Sequence, residues 1–454
     1  MDYLKLLWNF FVLRRNTKKS RTNIKDIQEK KLRKILKYAY ENSTYYRRSF
    51  EHVGITLKQL KTCPMSSLPT MDKELLMEHY DELVTSNDLR QDELRRFDAE
   101  TKEHTILYKS KYHVVHSSGS TGKPGYFVYD NEAWSKMLVA IIRGALWNMT
   151  IPEIIMFLVR GPRILFIAAT DGRYGGAMAV GAGINGLHAK QLSLDIKTPL
   201  SEWIEKIQKF KPNMVIGYSS AIKILGELVE NGEVQVDITR VISCGEPLDN
   251  GLRKYMEETF HAEVINFYGA SESLALGVED GCSDGMYLFD DMNYIEVEDG
   301  VMYLTALYNY VQPLIRYKIS DKLILKNDSE NSIYPFVRAE ILMGRQEDLL
   351  WFEDGNKNRD FLHPLAVEGF CIEGLLDYQF CQNDVDSFEM LAEVSDVRRE
   401  KDIQEEIMKQ MKKIMSEKNL EYINFHVRFV EKIIPDSKTG KKPLILNNGM
   451  RNIG

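Results

Sequence analysis

The chain lacks any apolar run long enough to read as a membrane crossing, and it has no low-complexity tract and no internal repeat. Cysteine is sparse. The five residues (Cys63, Cys244, Cys282, Cys371, Cys381) are odd in number and contain no CxxC pair. That pattern argues against a disulfide framework or a structural zinc and suits a reducing, cytoplasmic compartment. An excess of positive charge is also missing, since 59 Lys and Arg face 66 Asp and Glu for a net charge of −7. Such a balance argues against nucleic acid as the main partner. What is present is an ordinary folded composition, 44% hydrophobic and 28% charged, in 454 residues. That length is too great for one ordinary core, so two or more domains are expected.

The first 21 residues form a unit of their own. Tyr3 to Leu13 are mostly apolar and are followed by Arg14, Arg15, Lys18, Lys19 and Arg21. The run is about half the roughly 20 residues that a bilayer crossing needs. Its positive charge follows the apolar stretch, the reverse of a secretory signal, and no small-residue cleavage site is evident. Two readings stay open for residues 1–21: an aromatic-rich helix lying on a membrane surface with a basic flank, or a helix packed on its own domain or on a partner.

Residues 24 to 50 read as one polar helix ending in a Tyr-rich stretch. From about Asn131 to Val278, strand-like runs alternate with helical patterns. Strands are expected at Ile164–Ala168, Asn213–Gly217, Arg240–Ser243 and Glu263–Phe267, with helices at Leu200–Phe210, Ala221–Glu230 and Asn250–Phe260. Strict alternation implies parallel sheet and an α/β architecture. Ligands in such sheets sit at the carboxyl ends of strands, which marks the loops after Ser243 and Phe267. From about Tyr287 to Ile324 short strands take over, including a hairpin around Asp299-Gly300. After Gly344-Arg345 a smaller unit begins, with strands near Phe388–Val394 and Asn424–Val430. Between them lies a helix, Lys401–Glu417, whose Ile403, Ile407, Met411 and Ile414 share one face.

Five segments carry candidate chemistry. His116-Ser-Ser-Gly-Ser-Thr-Gly-Lys-Pro-Gly125 is a turn between two strands. Its small residues admit an anion to backbone N–H groups, its hydroxyls add donors and Lys123 adds charge, although the same composition also makes a plain flexible turn. It is not a Walker loop, because Ser117 and Pro124 occupy positions that need Gly and Ser or Thr. Phe267-Tyr-Gly-Ala-Ser-Glu272 sets a carboxylate at a strand's carboxyl end, where it suits Mg²⁺ or is simply a surface Glu. In Pro313-Leu-Ile-Arg-Tyr-Lys-Ile-Ser-Asp321, Arg316 and Asp321 either reach a ligand or pair with each other. Gly344-Arg-Gln-Glu-Asp348 sits at the composition break, and Lys438-Thr-Gly-Lys-Lys442 is a polar tail.

These five segments, in this order, resemble the adenylate-forming superfamily, which includes acyl-CoA synthetases, peptide-synthetase adenylation domains and luciferases. Within it the chain is similar to the phenylacetate–CoA ligase branch. The likeness extends to Leu32-Arg-Lys-Ile-Leu-Lys-Tyr-Ala-Tyr40, Leu68-Pro-Thr-Met-Asp-Lys73 and Ser243-Cys-Gly-Glu-Pro-Leu248. The resemblance implies a large N-terminal domain (1–344) of mainly parallel sheets flanked by helices plus a β-rich subdomain. It further implies a hinge at 345–348 and a small mobile α+β lid domain (349–454).

The same resemblance implies an ATP site in which Ser117, Ser118, Gly119, Ser120, Thr121, Gly122 and Lys123 wrap the β- and γ-phosphates. Gly245, Glu246 and Pro247 would lie along the adenine, with Tyr268 and Gly269 against its other side and Ala270 and Ser271 also in the ATP site. Glu272 would bind Mg²⁺, Asp321 the ribose hydroxyls and Arg345 the ribose region. Asp348 would be the hinge residue, and Lys441 would bridge the carboxylate and α-phosphate. By position in the branch, Tyr174, Gly175, Gly176 and Tyr218 would line an acyl pocket.

The implied reaction is ATP-dependent activation of a small carboxylic acid, then acyl transfer to a thiol of CoA or an acyl-carrier protein. An amine or hydroxyl acceptor is an alternative. Three departures from the family pattern stand out: Ser120 in place of Thr, Lys318-Ile319-Ser320 before Asp321, and a polar stretch after the hinge. A competing reading is a catalytically degenerate nucleotide-binding partner in a biosynthetic complex. Retention of Glu272, Asp321, Arg345 and Lys441 argues against it.

Overall fold

The structure is a computed structural model that describes residues 3–101, 106–116, 125–170, 175, 178–179, 189–282, 285–298, 300–326, 332–341, 349–353, 359–367, 370, 372–433 and 444–447. Its centre is an eleven-stranded mixed sheet. Five strands run parallel: β3 (Arg163–Ala168), β4 (Lys190–Asp195), β5 (Met214–Gly217), β6 (Arg240–Cys244) and β7 (Glu263–Ala270). The helices between them are amphipathic. In Leu200–Phe210 the buried residues are Leu200, Trp203 and Ile207, one stripe at helical spacing. Asn250–Phe260 begins where the Asp249 carboxylate accepts from the Leu252 N–H at 2.8 Å, filling an otherwise orphan donor.

Beyond β7 the sheet turns antiparallel, through β8 (Ser273–Glu279), β9 (Met286–Leu288), β10 (Asn293–Glu298), β11 (Val301–Ala306), β12 (Tyr317–Leu325) and β13 (Arg338–Ile341). The β-rich segment expected as a subdomain therefore continues the main sheet, because β9 pairs with both β8 and β13. A separate hairpin precedes the sheet in the chain. Its arms are β1 (Tyr112–His116) and β2 (Tyr126–Asp130), antiparallel from Tyr112↔Asp130 to His116↔Tyr126. The expectation of a connection between two strands over 117–124 holds at both of its ends, while 117–124 itself lies outside the described residues.

The smaller unit carries hairpin β14 (Leu350–Glu353)–β15 (Arg359–Leu362), followed by a four-stranded sheet. That sheet comprises β16 (Leu375–Asp384), β17 (Ser387–Val394), β18 (Asn424–Val430) and β19 (Ile445–Asn447). The helix Glu400–Glu417 covers it with Ile403, Ile407, Met411 and Met415 buried.

Near the start of the chain one expectation changes and one open alternative gains an observation. The single helix over 24–50 is two, Arg21–Asn42 and Thr44–His52. Ser43 is extended (φ −113°, ψ 122°), and its hydroxyl accepts from the Tyr46 N–H at 3.3 Å, so a capping residue interrupts the helix. The helix Tyr3–Asn16 packs on its own domain through buried Leu6, Phe10 and Leu13. It is pinned at its end: Asn16 and Arg143 both donate to the buried Asp291 carboxylate, at 2.8 Å and 2.6 Å.

Candidate active site

The candidate residues gather where the parallel strands end. Residues Gly245, Glu246 and Pro247 follow β6, and Tyr268 to Ala270 complete β7, its register neighbour through Cys244↔Phe267. Gly269 has a steric reason to lack a side chain, since a Cβ there would sit 2.5 Å from the Leu274 carbonyl oxygen. The chain then reverses tightly, pairing Ala270 with Ser273 and leaving Ser271 and Glu272 at the tip. Tyr129 fixes that tip, its hydroxyl donating to the carbonyls of Ser271 (2.9 Å) and Glu272 (3.0 Å).

Both ends of segment 117–124 converge on this tip. On one side the Ser271 hydroxyl donates to the carbonyl of His116, 3.4 Å away. On the other, the Lys73 side chain lies along Gly125, 3.3 Å from where a Cβ would be, and its charge acts on Glu272. Lys73 reaches this place because Met71 bridges to Tyr317: the Met71 N–H donates to Arg316 O (3.1 Å) and the Lys318 N–H to Met71 O (2.7 Å). Asp72 then caps the helix Lys73–Glu78, accepting from Leu75 N at 2.9 Å. The motif Leu68–Lys73 thus places a lysine side chain beside Gly125, where segment 117–124 ends, a placement its sequence does not announce.

Burial pushes the Glu272 carboxyl above its usual range, and the nearby Asp321 adds to the shift, while a hydrogen bond from the Tyr317 hydroxyl and the charge of Lys73 oppose it. Tyr268 donates to Asp321 Oδ2 at 2.7 Å, tying β7 to β12 across the site. The Glu272 and Asp321 carboxylates therefore lie within electrostatic reach of each other, an arrangement that a divalent cation would relieve. Among the described residues no cluster of three or more His, Cys, Asp or Glu could hold a metal. Glu272 would then be one protein oxygen among phosphate and water oxygens, the usual situation of Mg²⁺ beside a nucleotide.

Arg316 does neither thing expected of it. It pairs with Glu296 at 3.2 Å and with Glu298, and it donates to the carbonyls of Ser66 and Leu68. Its role is to bind the Leu68 segment to the sheet.

The other end of the site is also organised. Gly245 has φ +80°, and a Cβ there would meet the Tyr218 ring at 2.7 Å, so Tyr218 stands against the residues expected along adenine. The Glu246 carboxylate accepts from Ser220 N (2.9 Å) and Ser219 Oγ (3.1 Å) and lies 2.7 Å from His363 Nε2. Burial pushes Glu246 up, but His363 and Ser220 outweigh it and hold the carboxyl below its usual range. His363, wholly buried and stacked on Tyr218 at 5.3 Å, comes from the smaller unit. Nothing in the local pattern of Phe361-Leu-His-Pro364 announces this contact.

Gly175 packs against Leu274, where a Cβ would collide at 2.2 Å, so it lies behind the Glu272 tip. Tyr174 and Gly176 are outside the described residues, as are Ser117, Ser118, Gly119, Ser120, Thr121, Gly122, Lys123, Arg345, Asp348 and Lys441. Cys244 is half-buried, and desolvation pushes its thiol up to about 12, which removes it as a nucleophile at neutral pH.

No family model matches the chain. It is 24% identical over 408 residues to the phenylacetate-coenzyme A ligase of Thermus thermophilus, covering 83% of this chain and 82% of that protein. It is 21% identical over 436 residues to Protein CapK of Staphylococcus aureus, covering 93% and 89%. Among solved structures it resembles 2-hydroxyisobutyryl-CoA ligase in complex with 2-HIB-AMP and CoA, with TM-score 0.61, 18% identity and coverage of 96% and 91%. The fold is that of the adenylate-forming ligases. In sequence the chain is similar to several proteins named phenylacetate-coenzyme A ligase, at 24–26% identity.

Proposed function

We propose that the chain activates a carboxylic acid with ATP to an acyl-adenylate and then passes the acyl group to a thiol, with CoA as the acceptor. One observation carries this reading: the His116 end of the Ser/Thr/Gly segment meets Ser271 and its Gly125 end meets Lys73, whose charge acts on Glu272, with Asp321 close by, at the carboxyl end of the parallel strands. In the first step a carboxylate oxygen attacks the α-phosphorus, the bond to the β-phosphate bridging oxygen breaks, and pyrophosphate leaves. In the second a thiolate attacks the acyl carbonyl and AMP leaves.

Neither step needs a side-chain nucleophile. The protein's work is to position the reactants and neutralise charge. Mg²⁺, held by Glu272, would supply charge neutralisation on the phosphates. Lys73 and Lys123 add positive charge at the β,γ end, and Lys441 bridges carboxylate and α-phosphate. Asp321 and Arg345 hold the ribose, and Asp321's bond to Tyr268 keeps its carboxylate oriented. Residues 349–454 act as a lid that turns about Asp348 between the two steps. Retention of the acidic and aromatic site groups, together with relatives named as CoA ligases, supports an active enzyme over a degenerate partner.

Carboxylate-dependent ATP–pyrophosphate exchange across a panel of aryl, fatty and amino acids tests the reading. Exchange with at least one acid, followed by CoA-dependent AMP release, is the expected result. ATP binding without exchange for any acid in the panel would favour the degenerate partner instead.

A further inference from the structure

Two helices outside the site leave large apolar side chains in solvent. The helix Tyr3–Asn16 turns Leu6, Phe10 and Leu13 inward, yet Leu7, Trp8, Phe11 and Val12 point outward, with Trp8 71% exposed. The helix Ile151–Arg160 buries Ile154 and exposes Ile151, Ile155 and Val159, one stripe at i, i+4, i+8, along with Met156. The two are neighbours. Arg14, near the end of the first helix, donates to the carbonyls of Leu146 and Met149, just before the second helix begins. Arg14, Lys18, Ile151, Pro152 and the exposed Ile333 line one cleft of about 570 Å³ between them. Apolar exposure concentrated in this way marks an interaction surface.

We propose that this face docks on an anionic lipid surface. The charge argues for that occupant. From Tyr3 to Ser20 there are five Lys or Arg and no Asp or Glu, in a chain whose net charge is −7. Arg15, Lys18 and Arg160 are exposed beside the apolar side chains. The acidic residue of the second helix, Glu153, is turned to its own cap, accepting from Thr150 N at 2.6 Å and Thr150 Oγ1 at 2.8 Å. A second copy of the chain fits less well, because a two-fold contact sets the same patch against itself and brings basic residue to basic residue. Exposed Trp and Phe with a Lys/Arg flank are the composition of an interfacial helix, held by shallow apolar insertion and by attraction to acidic headgroups. Among the described residues no helix is long and apolar enough to cross a membrane, so the contact is peripheral.

The test uses the full chain and extruded vesicles of pure phosphatidylcholine or of phosphatidylcholine with about one-third phosphatidylglycerol. Partitioning should favour the acidic vesicles by about tenfold or more and weaken between 0.05 and 0.5 M salt, as about one Debye length of screening requires. Trp8 reports directly, since Trp134, Trp147 and Trp203 are buried and Trp351 is half-buried. A blue shift on binding should vanish in Trp8→Phe while binding persists. Phe11→Ser with Trp8→Ser, and separately Ile155→Ser with Val159→Ser, should each lower partitioning about tenfold and leave pyrophosphate exchange unchanged. Should either double variant fail to fold, Arg15→Glu with Lys18→Glu, all surface changes, should abolish the preference for acidic vesicles. Three results would overturn the proposal: no partitioning on acidic vesicles, binding indifferent to both lipid charge and these substitutions, or a solution dimer that the apolar double variants convert to monomers.

Discussion

Glu272 shows how much of the site rests on single side chains. Its carboxyl is buried beside Asp321, and its own backbone N–H, the Tyr317 hydroxyl and the Lys73 charge offset that environment in part. A bound cation would complete the balance, so Glu272→Gln should slow adenylate formation by about 10²–10³-fold, the scale for losing one aimed electrostatic group. The same variant should demand more Mg²⁺ for half-maximal exchange, and an unchanged Mg²⁺ dependence would remove Glu272 as the metal ligand. Lys441→Ala should slow acyl-adenylate formation by a similar factor, and near-normal pyrophosphate exchange would remove Lys441 from that step. Lys73 lies where segment 117–124 ends, so Lys73→Met should raise the KM for ATP while leaving the KM for the acid in place. This residue was legible only as part of Leu68–Lys73. Its function depends on a long-range bridge from Met71 to Tyr317, which no local pattern encodes. Glu272 and Tyr268 stood out in the sequence because they sit at the end of a strand-like run within a short motif, and Asp321, which lies inside β12, because it is a carboxylate in an otherwise apolar stretch.

At the scale of elements, periodic segments read well and junctions did not. Asn250–Phe260 and Asn424–Val430 match their expected bounds, because each has an amphipathic or alternating pattern and a clear start. The break at Ser43 was missed because helical pattern runs on both sides of it, and only the capping bond distinguishes the residue. The continuity of the main sheet through β9 was missed for a related reason: three residues carry too little pattern to reveal two partners. The acidic pair after β9 has a measurable consequence. Asp291 is driven up by burial but held below its usual range by Arg143, Lys31 and Asn16, whereas burial pushes its neighbour Asp290 up to about 6 against the pull of Arg21. A carboxyl whose folded pKa exceeds its unfolded value favours the fold most when protonated, so its contribution is full below about pH 4 and is lost as pH rises through about 6. The loss should be on the order of 3 kcal/mol across that window. Asp290→Asn should therefore flatten the fall in unfolding free energy between pH 4 and 6, measured by urea titration. A variant whose slope over that window equals the parent's would show that Asp290 does not titrate there.

On the scale of the whole molecule, the question is how the smaller unit is held against the larger one. Phe361 belongs to the larger unit's core, edge-on to Trp203 at 5.6 Å. Next to it the Asp360 carboxylate accepts from the Leu200 N–H (2.9 Å) and from Lys418 Nζ (2.9 Å). Lys418 is completely buried, donates also to Thr198 O at 2.7 Å, and stands 3.9 Å from the Phe361 ring. His363 closes the interface against Glu246 and Ser220. These contacts join the units at two points, one beneath the Leu200 helix and one at the site itself. If residues 349–454 turn as the proposed lid between half-reactions, both contacts would have to be released. Breaking a buried ion pair from one side costs about 3–5 kcal/mol because the other charge is left unpaired. Lys418→Met keeps the length and apolar packing while removing the ammonium. Hydrogen exchange of the Leu200 amide should then quicken by about 10²-fold, and the ratio of thioester formation to pyrophosphate exchange should shift. Unchanged exchange at Leu200 would mean that the Lys418 ammonium contributes nothing to that junction, and an unchanged ratio alongside faster exchange would separate this contact from the catalytic cycle.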